Sequence, residues 1–282
     1  MTDKIIALVD GSAYSRSVCD HAAWIAERGG CAVELMHVLG RREGGAGSDL
    51  SGAISLGART ALLEELSSLD EQRAKLSRAR GRAILEDAKA LLEREGVQAS
   101  EHLRRGDLIE AVTDKEREAE LILIGKRGEA ADFAKGHLGS NTERVVRAAS
   151  KPLFITSRAF RPITKVLVAF DGSANAMRAV DYAARSTFYA GLVVKIVTVG
   201  PATDAALKAL EDAKAVLSPA MKTDTAILSG QPEEALAGLI ETDGFDHLIM
   251  GAAGHSRLRS LFVGSTSLEM IRTCKVPVLL VR

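Results

Sequence analysis

Short apolar runs alternate with longer segments of helical spacing along this chain. Residues 4–9 and 165–170 are almost entirely apolar, as in strands that are covered on both faces. Residues 15–28 instead repeat apolar side chains such as Val18 and Ile25 on one helical stripe. Strands that alternate with helices form βαβ units, so the pattern predicts a parallel sheet with right-handed crossovers.

The same periodicity assigns the remaining elements. Further strands are predicted at residues 32–39, 98–103, 121–124, 153–156, 193–199, 222–228, 248–250 and 278–281. Further helices are predicted at residues 107–118, 141–149, 174–190, 203–217 and 232–241. Each half of the chain therefore receives a similar set of strands.

A long charged segment at residues 58–95 carries leucines near helical spacing. One unbroken helix there would span roughly 55 Å, which we take to be too long for a small α/β domain. Gly81 is the predicted break or kink, with a helical arm before it and the crossover helix at residues 82–95 after it. The arm is either a surface helix on its own domain or a segment that extends dimerisation or covers a ligand. Residues 41–57, rich in Gly and Ser, are predicted to be a mobile loop.

The chain contains an internal duplication. The sequence Asp-Gly-Ser follows the first strand of each half, at Asp10 and again at Asp171. The polar stretch 157–164 is a natural linker, so we predict one domain at residues 1–157 and a second at residues 165–282. The first domain is longer because of a helical insertion at about residues 41–80.

Composition excludes several classes of protein. Among 282 residues, 37 are Lys or Arg and 37 are Asp or Glu, so the net charge of zero gives no reason to expect nucleic acid as a partner. No apolar run approaches the roughly 20 residues that cross a bilayer, and the first residues do not resemble a signal peptide. We therefore expect a cytoplasmic protein without a membrane partner. The three cysteines form no CxxC pair, which argues against a metal site.

A glycine-rich loop follows the fourth strand of each half. Residues 248–266 have the pattern G-x2-G-x9-G-S, and residues 121–141 repeat it with ten residues between the second and third glycines. Such a loop lets backbone N–H groups approach a ligand, and the helix that begins after it offers its unpaired N–H groups to an anion. Because two copies occur, we interpret each loop as a phosphate cradle rather than as turn punctuation.

These motifs together resemble the universal stress protein family, and the resemblance covers almost the whole chain in tandem form. It implies an α/β fold of two tandem open parallel five-stranded sheets, each in the order 3-2-1-4-5 and Rossmann-like. It also implies ATP or another adenine nucleotide, with any Mg²⁺ brought by the nucleotide, at the carboxyl ends of the strands. Open α/β sheets place ligands there, where the strand order switches.

The resemblance also implies a role for each site residue. In the second half, Asp171 would accept from the ribose or adenine, and Val199 and Met250 would pack on the adenine. Backbone at two glycines would reach the phosphates, and the helix start would hold them. The second-half residues for the phosphates are Gly251, Gly254, Gly264, Ser265 and Thr266. The first-half residues in the same roles are Asp10, Val38, Ile124, Gly125, Gly128, Gly139, Ser140 and Asn141.

The charges of the two loops predict unequal sites. The second-half loop contains Arg257 and Arg259 without an acid. In the first-half loop, Glu129 and Asp132 offset part of the charge of its basic residues. On this basis the second half is predicted to bind nucleotide more tightly.

Other interpretations remain open at this point. Asp10 and Asp171 also suit the role of turn former or helix cap. No GxxxxGK[ST] loop, HExxH motif or nucleophile elbow is present, so we expect a binding protein with at most weak ATPase activity. The alternatives are a scaffold that binds no nucleotide and a slow ATP-hydrolysing or adenylating enzyme. Strands 153–156 and 278–281 are the predicted edges through which the halves meet as a pseudo-dimer, with a homodimer also possible.

Overall fold

The structure is a computed structural model that describes residues 4–40, 56–128, 138–252 and 264–282. Most of the predicted mobile loop and the central parts of both glycine loops lie outside these residues. Within them, strands and helices alternate as the sequence predicts.

Ten strands and eight helices are described. The strands are β1 Lys4–Leu8, β2 Ala32–Leu39, β3 Ala99–Arg105, β4 Leu121–Gly125, β5 Leu153–Thr156, β6 Lys165–Ala169, β7 Val193–Val199, β8 Lys222–Leu228, β9 His247–Gly251 and β10 Val278–Val281. The helices are α1 Ala13–Gly29, α2 Leu56–Arg94, α3 Leu108–Lys115, α4 Ser140–Ala148, α5 Ala174–Arg185, α6 Asp204–Leu217, α7 Pro232–Asp243 and α8 Ser265–Thr273. Two predicted helices are shorter than expected, because α3 and α5 each give way to a short 3₁₀ turn.

The strands form one continuous ten-stranded sheet in the order β3-β2-β1-β4-β5-β10-β9-β6-β7-β8. Each half keeps the predicted order 3-2-1-4-5, and all pairs within a half are parallel. The halves join where β5 pairs with β10 antiparallel, as in Phe154 opposite Leu279. The two predicted edges therefore do meet. Because this join is antiparallel, the carboxyl ends of the strands in one half-sheet point in the opposite direction to those in the other.

Helices cover both faces of this sheet. One apolar layer includes Val18 of α1, Leu85 of α2 and Val180 of α5. The layer on the other face includes Val145 of α4 and Ile271 of α8. Both layers run across the two halves, which explains why the central strands are nearly continuous apolar sequences.

The predicted break at Gly81 is wrong, because α2 is one helix of 39 residues. Gly81 is buried, and a Cβ on it would lie 2.8 Å from Leu103 Cδ1 and 3.0 Å from Leu39 Cδ2. The glycine thus allows α2 to approach β2 and β3 closely, instead of ending the helix. The helix exceeds the size of the domain because its first part continues past the sheet.

Candidate functional site

A cavity of about 560 Å³ opens at the carboxyl end of the first half-sheet. It lies where β1 is flanked by β2 and β4, which is the switch in strand order. Seven of the predicted residues line it: Asp10, Val38, Ile124, Gly125, Gly128, Ser140 and Asn141. The first-half prediction therefore names residues that the fold brings to one place.

Asp10 shapes the turn that enters this cavity. Its Oδ1 accepts from the N–H of Ser12 at 3.0 Å, and Ser15 Oγ accepts from the N–H groups of Asp10 and Gly11 at 3.1 and 3.0 Å. In the second half, Asp171 Oδ1 accepts from the N–H of Ser173 at 2.9 Å. Both aspartates thus act as turn formers, which is one of the roles that the sequence analysis left open for them.

The other carboxylate oxygen of Asp10 faces the glycine loop. A Cβ placed on Gly128 would lie 2.6 Å from Asp10 Oδ2. Behind this pair, a Cβ on Gly139 would lie 3.2 Å from Arg127 Cα and 3.3 Å from the Gly128 nitrogen. The loop therefore needs glycine at both positions, because its two ends pack backbone against backbone beside a carboxylate.

Gly125 and Gly251 have a different reason to be glycine. A Cβ on Gly125 would lie 2.7 Å from Tyr14 Cβ, and one on Gly251 would lie 2.8 Å from the carbonyl carbon of Asn175. In each half this glycine ends the fourth strand under the first turn of the helix that follows the Asp-Gly-Ser turn. Its absent side chain thus serves helix packing in both halves.

Three helices that begin at the cavities, α4, α7 and α8, have no side-chain cap. Gly139 precedes α4 and Gly264 precedes α8, and neither supplies a capping hydrogen bond. By contrast, Ser12, Asp107, Ser173 and Thr203 cap α1, α3, α5 and α6 with their side chains. The first N–H groups of a helix have no partner within the helix. Among the described residues no side chain caps α4 or α8, so their first N–H groups are suited to bind an anion.

The loop-to-helix joint is repeated in the two halves. The Gly139 N–H donates to the Lys126 carbonyl at 3.1 Å, and the Gly264 N–H donates to the Ala252 carbonyl at 2.9 Å. Thr142, three residues after Gly139, donates from Oγ1 to the Gly125 carbonyl at 2.9 Å. Ser267 Oγ makes the equivalent bond to the Gly251 carbonyl at 3.2 Å. These bonds fix each helix start against the end of the fourth strand.

The second-half cavity is smaller, at about 310 Å³. It is lined by the predicted residues Asp171, Val199, Met250, Gly251, Gly264, Ser265 and Thr266. Gly254 lies outside the described residues, as do Arg257 and Arg259, on which the predicted ranking of the two sites depends. That ranking stays a prediction.

The described charges differ between the two cavities. Arg127 and Arg144 line the first, and Arg144 Nη2 donates to Asp107 Oδ2 at 2.7 Å. That hydrogen bond lowers the pKa of the Asp107 carboxyl. No arginine or lysine stands among the described residues that line the second cavity. There, a hydrogen bond with Thr266 lowers the pKa of Glu233, which places a negative charge beside the start of α8.

Lys126 belongs to the first glycine loop but does not face the cavity. Its Nζ donates to the carbonyl of Cys274 at 2.5 Å, in the second half of the chain. Burial lowers the pKa of this lysine to about 8. The acceptor is the residue that caps the end of α8, where a cation is favoured. Counting the basic residues of the first loop from the sequence therefore overestimates the positive charge that faces the cavity.

Comparison with known proteins identifies the family of this chain. The profile of the Universal stress protein family matches residues 1–157 and 162–282. The chain belongs to the universal stress protein family. The chain is 37% identical over 285 residues to universal stress protein Slr1230 of Synechocystis sp., with 99% of each chain covered.

Two further comparisons place this universal stress protein among its relatives. A universal stress protein of Thermus aquaticus is 31% identical over 133 residues, which cover 42% of this chain and 97% of the relative. The crystal structure of a universal stress protein from Archaeoglobus fulgidus superposes with a TM-score of 0.69 at 22% identity, over 100% of this chain and 99% of that chain. This last likeness concerns the fold.

The sequence missed several residues of this universal stress protein's first cavity. Tyr14, Ser15 and Arg144 line it, together with the helix cap Asp107. A capping residue directly after Gly106 was the available signal for Asp107. Arg144 gave no local signal, because its place depends on how α4 packs beside α3.

Two further kinds of feature are absent from the part of the chain that the structure describes. No helix there combines the length and the apolar character needed to cross a membrane. No group of three or more His, Cys, Asp or Glu side chains is placed there to hold a metal ion.

Proposed function

We propose that this universal stress protein is a nucleotide-binding regulatory or stress-response protein that takes ATP, or another adenine nucleotide, at the carboxyl end of its half-sheets. The observation that carries the proposal is the start of α4, which has no side-chain cap and lines the first cavity together with the Asp10 carboxylate. The first cavity thus combines N–H donors for an anion, at the start of α4, with a carboxylate acceptor for a hydroxyl or amine, at Asp10.

The lining of the first cavity suits the three parts of a nucleotide. The N–H groups at Ser140 and Asn141 suit phosphate oxygens. Asp10 suits ribose hydroxyls, and the apolar side chains of Val38 and Ile124 suit the flat base. The volume falls within the roughly 300–1,000 Å³ typical of small-molecule sites. Any Mg²⁺ would be bound by the phosphates of the nucleotide, and we propose no protein ligands for it.

We further propose that the first cavity is the tighter of the two, against the order that loop charges predict. It is the larger cavity, and Arg127 and Arg144 balance Asp10 and Asp107 in its lining, whereas Asp171 lines the second without a described cation. The second cavity instead has Glu233 hydrogen-bonded to Thr266 at its anion end. A triphosphate gains less beside an added carboxylate than beside a guanidinium.

Calorimetric titration with ATP and magnesium tests the binding proposal. Gly128→Ala should weaken binding at least about tenfold, because its Cβ would displace the Asp10 carboxylate. Gly238→Ala is the matched control, since a Cβ there meets nothing within 4 Å. Absence of heat at millimolar ATP, together with no nucleotide in mass spectra of the purified protein, would leave only the scaffold alternative.

The protein is proposed to bind nucleotide without turning it over efficiently. Steady-state phosphate release separates this from the hydrolysing or adenylating alternative. Release at a rate well below one per minute is expected, and turnover at ordinary enzymatic rates of about 1–1,000 per second would refute the proposal. The cytoplasmic location stays a prediction from the sequence.

A further inference from the structure

The first part of α2 is a helical arm, which we define as residues 56–80. Gly81 packs beside Leu39 and Leu103, near the carboxyl ends of β2 and β3. Since α2 runs back along these strands, the arm continues past the carboxyl edge for about 37 Å at 1.5 Å per residue. Between residues 62 and 80 no side chain is fully buried, whereas Leu85 and Leu92 after Gly81 are.

The arm carries large apolar side chains in contact with water. Leu63, Leu69 and Leu76 are 51%, 43% and 70% exposed. Leu62, Leu66, Leu69 and Leu76 follow one another at intervals of four, three and seven residues. That spacing is the seam of a coiled coil, in which a second helix covers the leucines.

From residue 62 onward, after Arg59, the charges of the arm are divided between its two ends. Residues 62–71 contain Glu64, Glu65, Asp70 and Glu71 and no basic residue. Residues 72–82 contain Arg73, Lys75, Arg78, Arg80 and Arg82 and no acidic residue. Asp70 and Glu71 can pair within the helix, because Arg73 and Lys75 stand three and four positions after them, whereas no basic residue stands three or four positions from Glu64 or Glu65. The arm is therefore complementary to itself when turned end for end.

We propose that the arm binds the arm of a second copy of this chain as an antiparallel helix pair. The leucine seams face each other, and the acidic half of each arm lies along the basic half of the other. A parallel pair would set acid against acid and base against base, which opposes association. The product is a homodimer held by an element that projects away from the sheet.

The same arm is less suited to covering the nucleotide site. No residue of α2 is among the described residues that line the first cavity. Ile84, just beyond the arm, packs instead against the Gly11 turn, 2.9 Å from a Cβ built there. The arm is thus anchored beside the cavity and leaves its lining to the strands, loops and other helices.

Sedimentation equilibrium on the full chain tests the apolar seam. The unaltered chain should be dimeric at micromolar concentration. Leu69→Glu combined with Leu76→Glu should raise the dissociation constant at least about a hundredfold. Leu207→Glu is the matched control, because Leu207 is 49% exposed on α6, outside the arm. A monomeric unaltered chain, or a dimer that survives the double substitution, would overturn the proposal.

Charge reversal tests the antiparallel orientation. One variant combines Glu64→Arg with Glu65→Arg, and a second combines Arg73→Glu, Lys75→Glu and Arg78→Glu. The first variant is predominantly basic along the arm and the second predominantly acidic, so each alone should be monomeric, while an equimolar mixture of the two should form a heterodimer. Circular dichroism of each variant checks that the chain remains folded. A mixture that stays monomeric while both variants are folded, or self-association of either variant as tight as that of the unaltered chain, would refute the antiparallel pair.

Discussion

At the scale of single residues, the glycines around the cavities do two separate tasks. Gly128 and Gly139 keep side chains away from the loop that faces Asp10. Gly125 and Gly251 allow a helix to start directly against the end of a strand. Only the first pair is expected to affect ligand binding directly, although all four belong to the same sequence motif.

We expect Gly251→Ala and Gly125→Ala to lower the free energy of unfolding. Overpacking costs about 1–3 kcal/mol, and Gly251 should be the worse site because its Cβ would meet the backbone of Asn175 and Ala176 at 2.8 and 2.9 Å. Urea denaturation measures the loss. Gly238→Ala again serves as the control, since it adds a methyl group in open space within α7. Equal stability of all three variants would contradict this division of tasks.

At the scale of elements, the local pattern of apolar and polar residues predicted the features that depend on nearby residues. The apolar runs predicted the strands, the alternation predicted parallel pairing, and the two strands at the ends of the halves were identified as partners. The strand order came from the family resemblance. Both Asp-Gly-Ser turns also adopt equivalent geometries. These features follow from residues that are close in sequence or repeated in both halves.

The remaining features depend on residues that are far apart in sequence. Gly81 resembles a helix break until the close approach of β2 and β3 is known. Lys126 counts toward the positive charge of the first loop, but the end of α8, 148 residues away, accepts its hydrogen bond. Such contacts are decided by packing between elements, and no periodicity within one segment reports them.

The continuity of α2 can be tested at Gly81. Gly81→Val should destabilise the protein by roughly 1–3 kcal/mol, because the added side chain would meet Leu103, His37 and Leu39. Ala79→Val, on the exposed face of the same helix, introduces the same β-branched residue and should cost under about 1 kcal/mol. Urea denaturation compares the two. If Gly81 were a break in the helix, this difference would vanish.

The two glycine loops can be ranked by parallel titrations. Gly128→Val should remove the tighter phase of ATP binding, whereas Gly254→Val should remove at most a weaker one. The physical reason is the pair of arginines that line the first cavity and the carboxylate beside the second. Isothermal calorimetry of the full chain reports both phases. The reverse result would restore the order that the charges of Arg257 and Arg259 predict.

At the scale of the whole molecule, buried histidines lie where the two halves meet. The ring of His247 stacks on Phe154 at 4.9 Å between centroids, and its Nδ1–H donates to the Pro277 carbonyl at 2.9 Å. Its Nε2 then accepts from Tyr189 Oη at 2.7 Å. His21 also packs against Phe154, with 5.4 Å between ring centroids, and donates from Nδ1 to the Ser17 carbonyl at 2.6 Å. Both rings are neutral in this arrangement, and a further proton would be buried in an apolar layer.

We therefore expect the folded protein to lose stability in mild acid. Burial lowers the pKa of His21 to about 4 and that of His247 to about 3, from an ordinary value of 6.5. The unfolded chain binds protons that the folded chain excludes, so stability is complete above pH 6.5 and falls as the pH decreases toward the folded pKa values. Each histidine contributes about 1.4 kcal/mol per pH unit, or about 3 kcal/mol per unit for the pair, in that window.

Urea denaturation between pH 7.5 and 5 measures this slope before most carboxylates titrate. His21→Phe is the informative variant. It removes one titrating ring, and in the described residues the Nε2 atom of that ring is buried without a hydrogen-bond partner. The slope should fall to about half, because His247 and its bond to Tyr189 remain. An unchanged slope would mean that His21 does not titrate across unfolding, and a flat profile in the unaltered chain would mean that protons enter the junction of the two halves without opening it.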